Sequence, residues 1–94
     1  MITSFGSKET EKIFNQDYSL KLPTSIQRVA MRKLWMIDSA QTISDLRVPP
    51  ANHLEKMKGK YKGKYSIRIN NQWRICFKWT DNNAIDVEIL DYHN

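Results

Sequence analysis

Three side chains that can hold or move protons follow one another near the end of the sequence. Asp91, Tyr92 and His93 come directly after the run VEIL, whose alternation is typical of a strand. An unperturbed imidazole has a pKa of about 6.5, and the best general acid–base catalysts have a pKa close to the working pH. His93 is therefore the natural candidate for a general base or a general acid, and its residue type leaves open which of the two.

A basic segment, residues 56–78, precedes these three side chains. It holds eight Lys and Arg residues and no Asp or Glu, in a chain whose formal net charge is +5. Tyr and Trp side chains are interleaved with the charges, so the segment could bind the backbone and bases of an RNA. It could equally be a solvated face that keeps the protein soluble. Tyr61 is the better candidate for stacking on a base, because Trp73 and Trp79 alternate with charges and are expected in the core.

The chain length, the lengths of the apolar runs and the numbers of Cys and His residues limit the possible classes of protein. A chain of 94 residues is the size of one small domain, so residues 1–94 are predicted to form a single unit. Its apolar runs are far shorter than the roughly 20 residues that span a bilayer, and the first residues lack a secretory pattern. A single cysteine, Cys76, cannot form an internal disulfide, which favours a cytoplasmic location. Two His and one Cys lack metal-ligand spacing, so neither a metal nor a cofactor is expected.

The first half of the chain has helical signals. MITSF predicts a first strand, and SKETEKIF predicts a short helix with Ser7 as its N-cap. A longer helix is predicted from Pro23, and TISDL could add a further helical turn before VPPAN forces an extended loop. The apolar stripe of the longer helix should contain Ile26, Val29, Ala30, Leu34 and Ile37.

After the prolines the apolar period changes from helical to two. The runs YSIRI, WRICFKW and IDVEI each place apolar residues on one face, which predicts three strands in an antiparallel meander. The fold class is therefore predicted as α+β, with an N-terminal strand and two helices packed on one face of an antiparallel β-sheet.

The alternation also predicts the register of the two hairpins. Pairing Ile67 with Ile75 leaves residues 70–72 as a three-residue loop, with Ile69 opposite Trp73.

In the second hairpin, pairing Phe77 with Ile85 would place Arg74 opposite Glu88, a cross-strand ion pair worth about 0.2–1 kcal/mol. The same register would put Lys78 beside Ala84. The second face of the sheet is then open, polar and mostly basic, and it should carry Ser66, Arg68, Arg74, Cys76, Lys78, Asp86 and Glu88.

Several short motifs along the chain together resemble one known family. LEKMKG, YSIRIN, QWRICF and the terminal DYH are similar to those of the HigB-type toxins of the RelE/ParE superfamily, and the resemblance spans nearly the whole chain. It implies a small basic protein with helices packed on an antiparallel sheet, encoded with an antitoxin that inhibits it. Freed from that antitoxin, such a toxin is expected to cleave messenger RNA on the ribosome without a metal.

The resemblance also implies which residues act. Asp91, Tyr92 and His93 match the terminal set of the family, Lys58 matches the Lys before the loop Gly, and Arg74 matches the Arg that follows Trp on the central strand.

One position departs from part of the family. Some members carry a catalytic His where this chain has Glu55, and His53 is off by strand parity and does not replace it. Glu55 is therefore an alternative general base, with Asp91 orienting His93 or accepting the proton.

The remaining roles concern the RNA. Arg74 and Lys58 would stabilise the phosphate, and Tyr92 would stack on a base or donate from its hydroxyl. The residues expected to bind RNA or phosphate are Lys58, Arg68, Lys60, Tyr61 and Lys78.

The partners implied by the resemblance are a cognate HigA-like antitoxin of the helix-turn-helix type, the ribosome and mRNA. The toxin–antitoxin complex would bind operator DNA through the antitoxin. Two alternatives remain open at this point: a ParE-like inhibitor that acts by binding DNA gyrase, and a catalytically inactive domain that binds RNA or protein. The terminal acid–base set argues against the gyrase inhibitor.

Overall fold

Helix α1 spans Lys8–Phe14 and begins where the sequence predicts. In the computed structural model, which describes residues 1–92, Ser7 Oγ accepts a hydrogen bond from the backbone N–H of Thr10 at 3.2 Å. This bond satisfies one of the donors that a helix leaves unpaired in its first turn. The hydroxyl of Thr10 is fully buried and accepts from the backbone N–H of Ile89 at 2.9 Å. The first turn therefore ties the helix directly to the sheet.

Helix α2 spans Thr24–Ser39, and its apolar stripe faces the core. Spacings of three and four residues keep the buried side chains on one face. These side chains are Ile26, Ala30, Leu34 and Ile37. The prediction that Val29 belongs to the stripe is wrong, because this side chain is 37% exposed at the edge of the apolar face.

Two short 3-10 turns lead from α2 to the sheet. The first, Ile43–Arg47, confirms the predicted helical turn. Backbone N–H groups of Thr42 and Gln41 donate to its Asp45 carboxylate, and these bonds lower the pKa of Asp45. Val48 and Pro49 are extended, as predicted, and the second turn, Pro50–Asn52, replaces the rest of the predicted loop. The fixed φ of proline suits the first position of a helical turn as well as an extended chain.

In the part of the chain that the structure describes, four antiparallel strands form one sheet in the order β1-β2-β3-β4. They span Glu55–Lys56, Tyr65–Arg68, Trp73–Thr80 and Asn83–Asp91. The last three confirm the predicted meander, whereas β1 is too short to have a period in the sequence. The predicted N-terminal strand is reduced to a segment that lies parallel to β4 through two isolated bridges, Ile2–Ala84 and Phe5–Val87. The α+β class is confirmed.

The hairpin of β2 and β3 has the predicted register. Ile67 lies opposite Ile75, and the backbone N–H of Ile69 donates to the carbonyl of Trp73 at 2.9 Å across the loop of residues 70–72.

The predicted register of β3 and β4 is wrong. A bulge between Cys76 and Lys78 shifts the pairing, so that Cys76 lies opposite Glu88 and Lys78 opposite Ile85. Asp86 takes a positive φ of 54° at this irregularity. Because a bulge adds a residue to one strand only, strict alternation cannot predict the pairing on both sides of it. The expected Arg74–Glu88 pair does not form, and Arg74 lies opposite Leu90 instead.

The helices cover one face of the sheet. Helix α1 packs on β4, and α2 packs on β3 and β4. Trp73 and Trp79 are partly buried against this core, as predicted. The fully buried side chains of the sheet on this side include Ile67, Ile75, Phe77, Ala84 and Val87.

The opposite face, called here the polar face, is not open along its whole length. Cys76 was expected to be exposed there, and this expectation is wrong. Its thiol is buried and lies 3.0 Å from the sulfur of Met57, which comes from the segment after β1. The hairpin of β1 and β2 therefore closes the middle of the polar face. Within residues 1–92, no helix has the length and apolar character that crossing a membrane requires.

Candidate active site

A cavity of about 250 Å³ lies at one end of the polar face. The ends of three strands and the residue after β4 meet there, because β1, β2, β3 and β4 are neighbours in that order. The cavity is lined by Glu55, Arg68, Asn70, Asn71, Arg74 and Tyr92. Four of these six residues are candidates from the sequence, and they come from four separate stretches of chain.

Arg74 is at the centre of the site, and within residues 1–92 its guanidinium has three hydrogen-bonding partners. Its Nη2 lies 2.5 Å from Glu55 Oε1, and its Nη1 donates to Ser66 Oγ at 2.9 Å and to the carbonyl of His53 at 3.3 Å. The aromatic ring of Tyr92 lies 5.7 Å from the guanidinium carbon, within the range of a cation–π contact. The Arg74 side chain is only 13% exposed, whereas that of Glu55 is 52% exposed. The cation is therefore fixed, and the carboxylate can be reached from solvent.

Arg68 brings a second cation to the same place. It lies directly opposite Arg74 in the β2–β3 pair, and its Nη2 donates to the side-chain oxygen of Asn71. Like charges at directly opposed positions destabilise a sheet, so an anion between the two guanidinium groups would relieve this repulsion. Glu55 supplies a negative charge to Arg74 within the protein, and a bound phosphate group could neutralise both guanidinium groups.

The last strand places Tyr92 and Asp91 on opposite sides of the sheet. The backbone N–H of Tyr92 donates to the carbonyl of Gln72 at 2.7 Å, which fixes the residue beside the cavity. Asp91 lies opposite Trp73, and its Oδ2 accepts from the amide of Gln72 at 3.1 Å. The structure therefore does not bring Asp91 into the cavity, and the expected role of His93 lies outside the described residues.

The remaining basic candidates lie away from the cavity. Lys58, Lys60 and Tyr61 belong to the connection between β1 and β2, at the end of β2 opposite to Arg68. The ammonium of Lys60 lies 5.2 Å from the centre of the Tyr61 ring.

Lys78 is four residues along β3 from Arg74, a distance of roughly 13 Å at the usual rise of a strand. Its ammonium lies 3.8 Å from Asp86, so it too is outside the cavity.

Three residues of this site were not predicted from the sequence. Ser66 is buried and accepts from Arg74, and Asn70 and Asn71 line the cavity. The signal available for the two Asn residues was their place in the predicted hairpin loop, next to Arg68. Among residues 1–92, no group of three His, Cys, Asp or Glu side chains is placed to bind a metal ion.

Residues 3–93 match the family described as the RelE-like toxins of type II toxin–antitoxin systems, HigB. The chain belongs to this family of HigB-like toxins. Toxin HigB-1 of Vibrio cholerae is 42% identical to this HigB-like toxin over 94 residues, which cover 99% of this chain and 98% of the relative. Endoribonuclease HigB of Proteus vulgaris is 31% identical, with coverage of 99% and 100%.

Solved structures give the same fold. The YoeB–YefM complex from Staphylococcus aureus matches with a TM-score of 0.59 and 22% identity, covering 100% of this chain and 99% of the matched chain. A second structure, a heterotetrameric YoeB–YefM toxin–antitoxin complex from the same organism, also has a TM-score of 0.59, with 23% identity. The predicted family and the predicted RelE-like fold are both confirmed.

Proposed function

We propose that this HigB-like toxin is a ribosome-dependent endoribonuclease that cuts mRNA without a metal ion. The main support is the cavity, in which a carboxylate, two guanidinium groups and a phenol converge. Three kinds of group that RNA cleavage requires are thus close together: a proton acceptor, cations that can bind a phosphate, and an aromatic ring that can stack on a nucleobase. The name of the Proteus vulgaris relative, an endoribonuclease, supports the same reaction class.

The proposed reaction uses the 2′-OH next to the scissile phosphate. The 2′-oxygen forms a bond to phosphorus as its proton passes to a general base. The bond from phosphorus to the 5′-oxygen breaks as a general acid protonates that oxygen. The products are a 2′,3′-cyclic phosphate and a 5′-OH end.

We assign the general base to Glu55. Its carboxylate lies 2.5 Å from Arg74, so it is adjacent to any phosphate that Arg74 binds. In the free toxin this carboxylate neutralises the guanidinium. An incoming phosphate competes for the same donor, which frees the Glu55 carboxylate to accept a proton. We assign the general acid to His93, and we leave Asp91 out of the reacting groups because it lies on the other face of the sheet.

Arg74 and Arg68 would hold the phosphate as its negative charge grows. A guanidinium can donate two parallel hydrogen bonds to a phosphate, and such donors are most effective when they are already fixed in place. The two hydrogen bonds that Arg74 Nη1 donates to Ser66 and to the carbonyl of His53 provide this fixed orientation. Tyr92 would stack on a neighbouring base.

The basic connection around Lys58, Lys60 and Tyr61, together with Lys78, would bind the RNA strand beyond the cavity. Its distance from Arg74 assigns it to backbone contacts that add affinity, rather than to the scissile phosphate.

The partner in the resting cell would be a HigA-like antitoxin, since the chain belongs to a family of type II toxins and its structural neighbours were solved as toxin–antitoxin complexes. The antitoxin would cover the cavity or block access to the ribosome. The complex would bind operator DNA through the helix-turn-helix of the antitoxin.

The test is a primer-extension map of transcripts from cells that express the toxin without antitoxin. Cuts within translated codons are expected, and toxin that has been dialysed against EDTA and then added to ribosomes in their usual Mg²⁺ buffer should cleave at the rate of untreated toxin. His93→Gln should relieve growth arrest, while Arg32→Gln, on an exposed part of α2, should not. Intact transcripts accompanied by a DNA-damage response would contradict the proposal and favour gyrase inhibition.

A further inference from the structure

A buried amide links helix α2 to the segment that supplies the cavity. Asn52 is fully buried at the end of the second 3-10 turn. Its Nδ2 donates to the carbonyls of Leu46 and Val48 at 3.1 and 3.4 Å, and its Oδ1 accepts from Lys33 Nζ. The donors and the acceptor of this side chain are thus all used. A buried amide that lacked these partners would be strongly unfavourable, so the contacts fix the position of the residue.

The partner from α2 is itself held in an unusual setting. Lys33 is half-buried, and burial lowers the pKa of its ammonium group. Its hydrogen-bond acceptor is the neutral amide oxygen of Asn52 rather than a carboxylate. A lysine on a surface helix ordinarily extends into water, so its approach to Asn52 indicates a specific contact between the helical layer and this segment.

The residues that follow Asn52 contact Arg74. His53 takes a left-handed backbone conformation with φ of 45°, and its carbonyl accepts from Arg74 Nη1 at 3.3 Å. Two residues further on, Glu55 contacts Nη2 at 2.5 Å. Two of the three hydrogen-bonding partners of Arg74 therefore come from the few residues directly after Asn52.

We propose that Asn52, held by Lys33, is a positioning residue for the cavity. The contact between Asn52 and Lys33 sets the height of the 53–55 segment above the sheet. That segment in turn sets the orientation of the Arg74 guanidinium and of the Glu55 carboxylate. This inference rests on the proposed function for its catalytic readout, and on the contacts alone for its spectroscopic readout.

The alternative is that Asn52 and Lys33 only stabilise the fold. The two roles differ in what they change. A contact that only stabilises alters the melting temperature and leaves the folded site intact. A positioning contact alters the turnover of the folded protein at saturating substrate, because misplacement of a catalytic group by a fraction of an ångström already lowers the rate.

Lys33→Met is the variant of choice, because it keeps an unbranched side chain of similar helix propensity and removes the ammonium group that donates to Asn52. Arg32→Met, at the exposed neighbouring position, is the matched control. Lys33→Arg restores a donor and serves as the rescue. All variants are prepared with the antitoxin and assayed after its removal, at a temperature at which circular dichroism shows each one folded.

Two readouts are combined. Single-turnover cleavage on programmed ribosomes should show a rate at saturation about 10-fold lower for Lys33→Met, a half-saturation concentration within about twofold of wild type, and recovery with Lys33→Arg. The ¹⁵N signals of the Arg74 guanidinium should be resolved in the wild type and averaged in Lys33→Met, since a released guanidinium rotates freely.

The outcomes separate the two proposals. Wild-type cleavage and unchanged Arg74 signals in folded Lys33→Met would overturn the positioning role and leave the proposed function standing. If the wild type cuts no RNA, the proposed function fails, and the Arg74 signals alone still decide whether Lys33 and Asn52 orient the site. If Lys33→Met does not fold, Asn52→Asp is measured in the same way, because it keeps an acceptor for Lys33 and loses the bonds that Nδ2 donates to Met36, Leu46 and Val48.

Discussion

Both ends of the polar face carry cationic side chains, but only one end holds them in a fixed position. At one end, Arg74 is held by three hydrogen-bonding partners and is mostly buried. At the other, the lysines of residues 58–62 are exposed on a connection that contains Gly59 and Gly63, both at positive φ. Charge density in the sequence is highest at the second end, yet the preorganised geometry that catalysis requires is found at the first.

This difference separates two physical roles. Exposed lysines attract a polyanion over a distance and release counterions, and their effect depends on salt. A fixed, desolvated guanidinium acts on one phosphate and is less screened by salt. The comparison therefore predicts that changes at the cavity affect the rate of cleavage, and that changes in the basic connection affect affinity.

The largest effect is expected at Arg74. Arg74→Ala removes the fixed donor and should lower the single-turnover rate on ribosomes by about 10²–10³-fold, the usual loss for one preorganised donor to a developing anion. The measurement is the rate at saturating toxin, with Arg32→Ala as control. A rate within twofold of wild type would mean that the cavity is not where the phosphate binds.

The second-largest loss of cleavage rate is expected for Glu55→Gln. The amide has the size of the carboxylate but cannot accept the proton of the 2′-OH, so the rate should fall by about 10²-fold, within the range of general base catalysis. The melting temperature should change little, because Glu55 is half exposed and its ion pair with Arg74 is partly solvated. Full activity in this variant would transfer the role of base to another residue.

The double variant Lys58→Ala/Lys60→Ala should weaken binding of RNA, whereas Arg74→Ala and Glu55→Gln should lower the rate of cleavage. Affinity for ribosome-bound mRNA should fall, and the slope of log affinity against log salt should decrease by about 0.7 for each phosphate that the variant no longer neutralises. The rate at saturation should stay within about twofold of wild type. A large fall in that rate, with an unchanged salt slope, would reverse the assignment of roles to the two ends.

The smallest effect concerns the closed middle of the polar face. Burial raises the pKa of the Cys76 thiol, so little thiolate is present near neutral pH and the thiolate fraction rises only at more alkaline pH. Alkylation of the native toxin by iodoacetamide at pH 8 should be at least about 10-fold slower than that of the unfolded chain. Met57→Ala should increase the native rate. Equal rates for native and unfolded chain would show that this region is open.

Much of the fold could be predicted because it follows from periodicity and capping. Three features depend on local patterns, and the structure confirms them: Ser7 at the start of α1, the stripe of α2 apart from Val29, and the register of β2 with β3. The register of β3 with β4 depends on a bulge near Asp86, a non-glycine residue at positive φ, and residue type gives no clear signal for it.

The sequence indicated several of the residues that line the cavity, but it did not indicate which of them contact each other. Arg74, Glu55, Arg68 and Tyr92 were candidates, and the structure brings them together. The partner of Arg74 was expected to be Glu88, across β3 and β4. It is Glu55 instead, because the two-residue strand β1 adds to the edge of the sheet beside β2.

Nothing in the sequence around Asn52 indicated that this residue supports the cavity. Its importance appears only when the long-range contacts of α2 and of the segment before β1 are known.

The most direct test of the proposed chemistry is a structure of the toxin on a ribosome programmed with mRNA whose 2′-OH at the cleavage site is replaced by hydrogen. This substitution removes the nucleophile and keeps the phosphate. We expect a phosphate oxygen within about 3 Å of the Arg74 guanidinium, with Glu55 displaced toward the missing hydroxyl. A scissile phosphate bound by the lysines of residues 58–62, with the Glu55–Arg74 pair intact, would contradict the proposed chemistry.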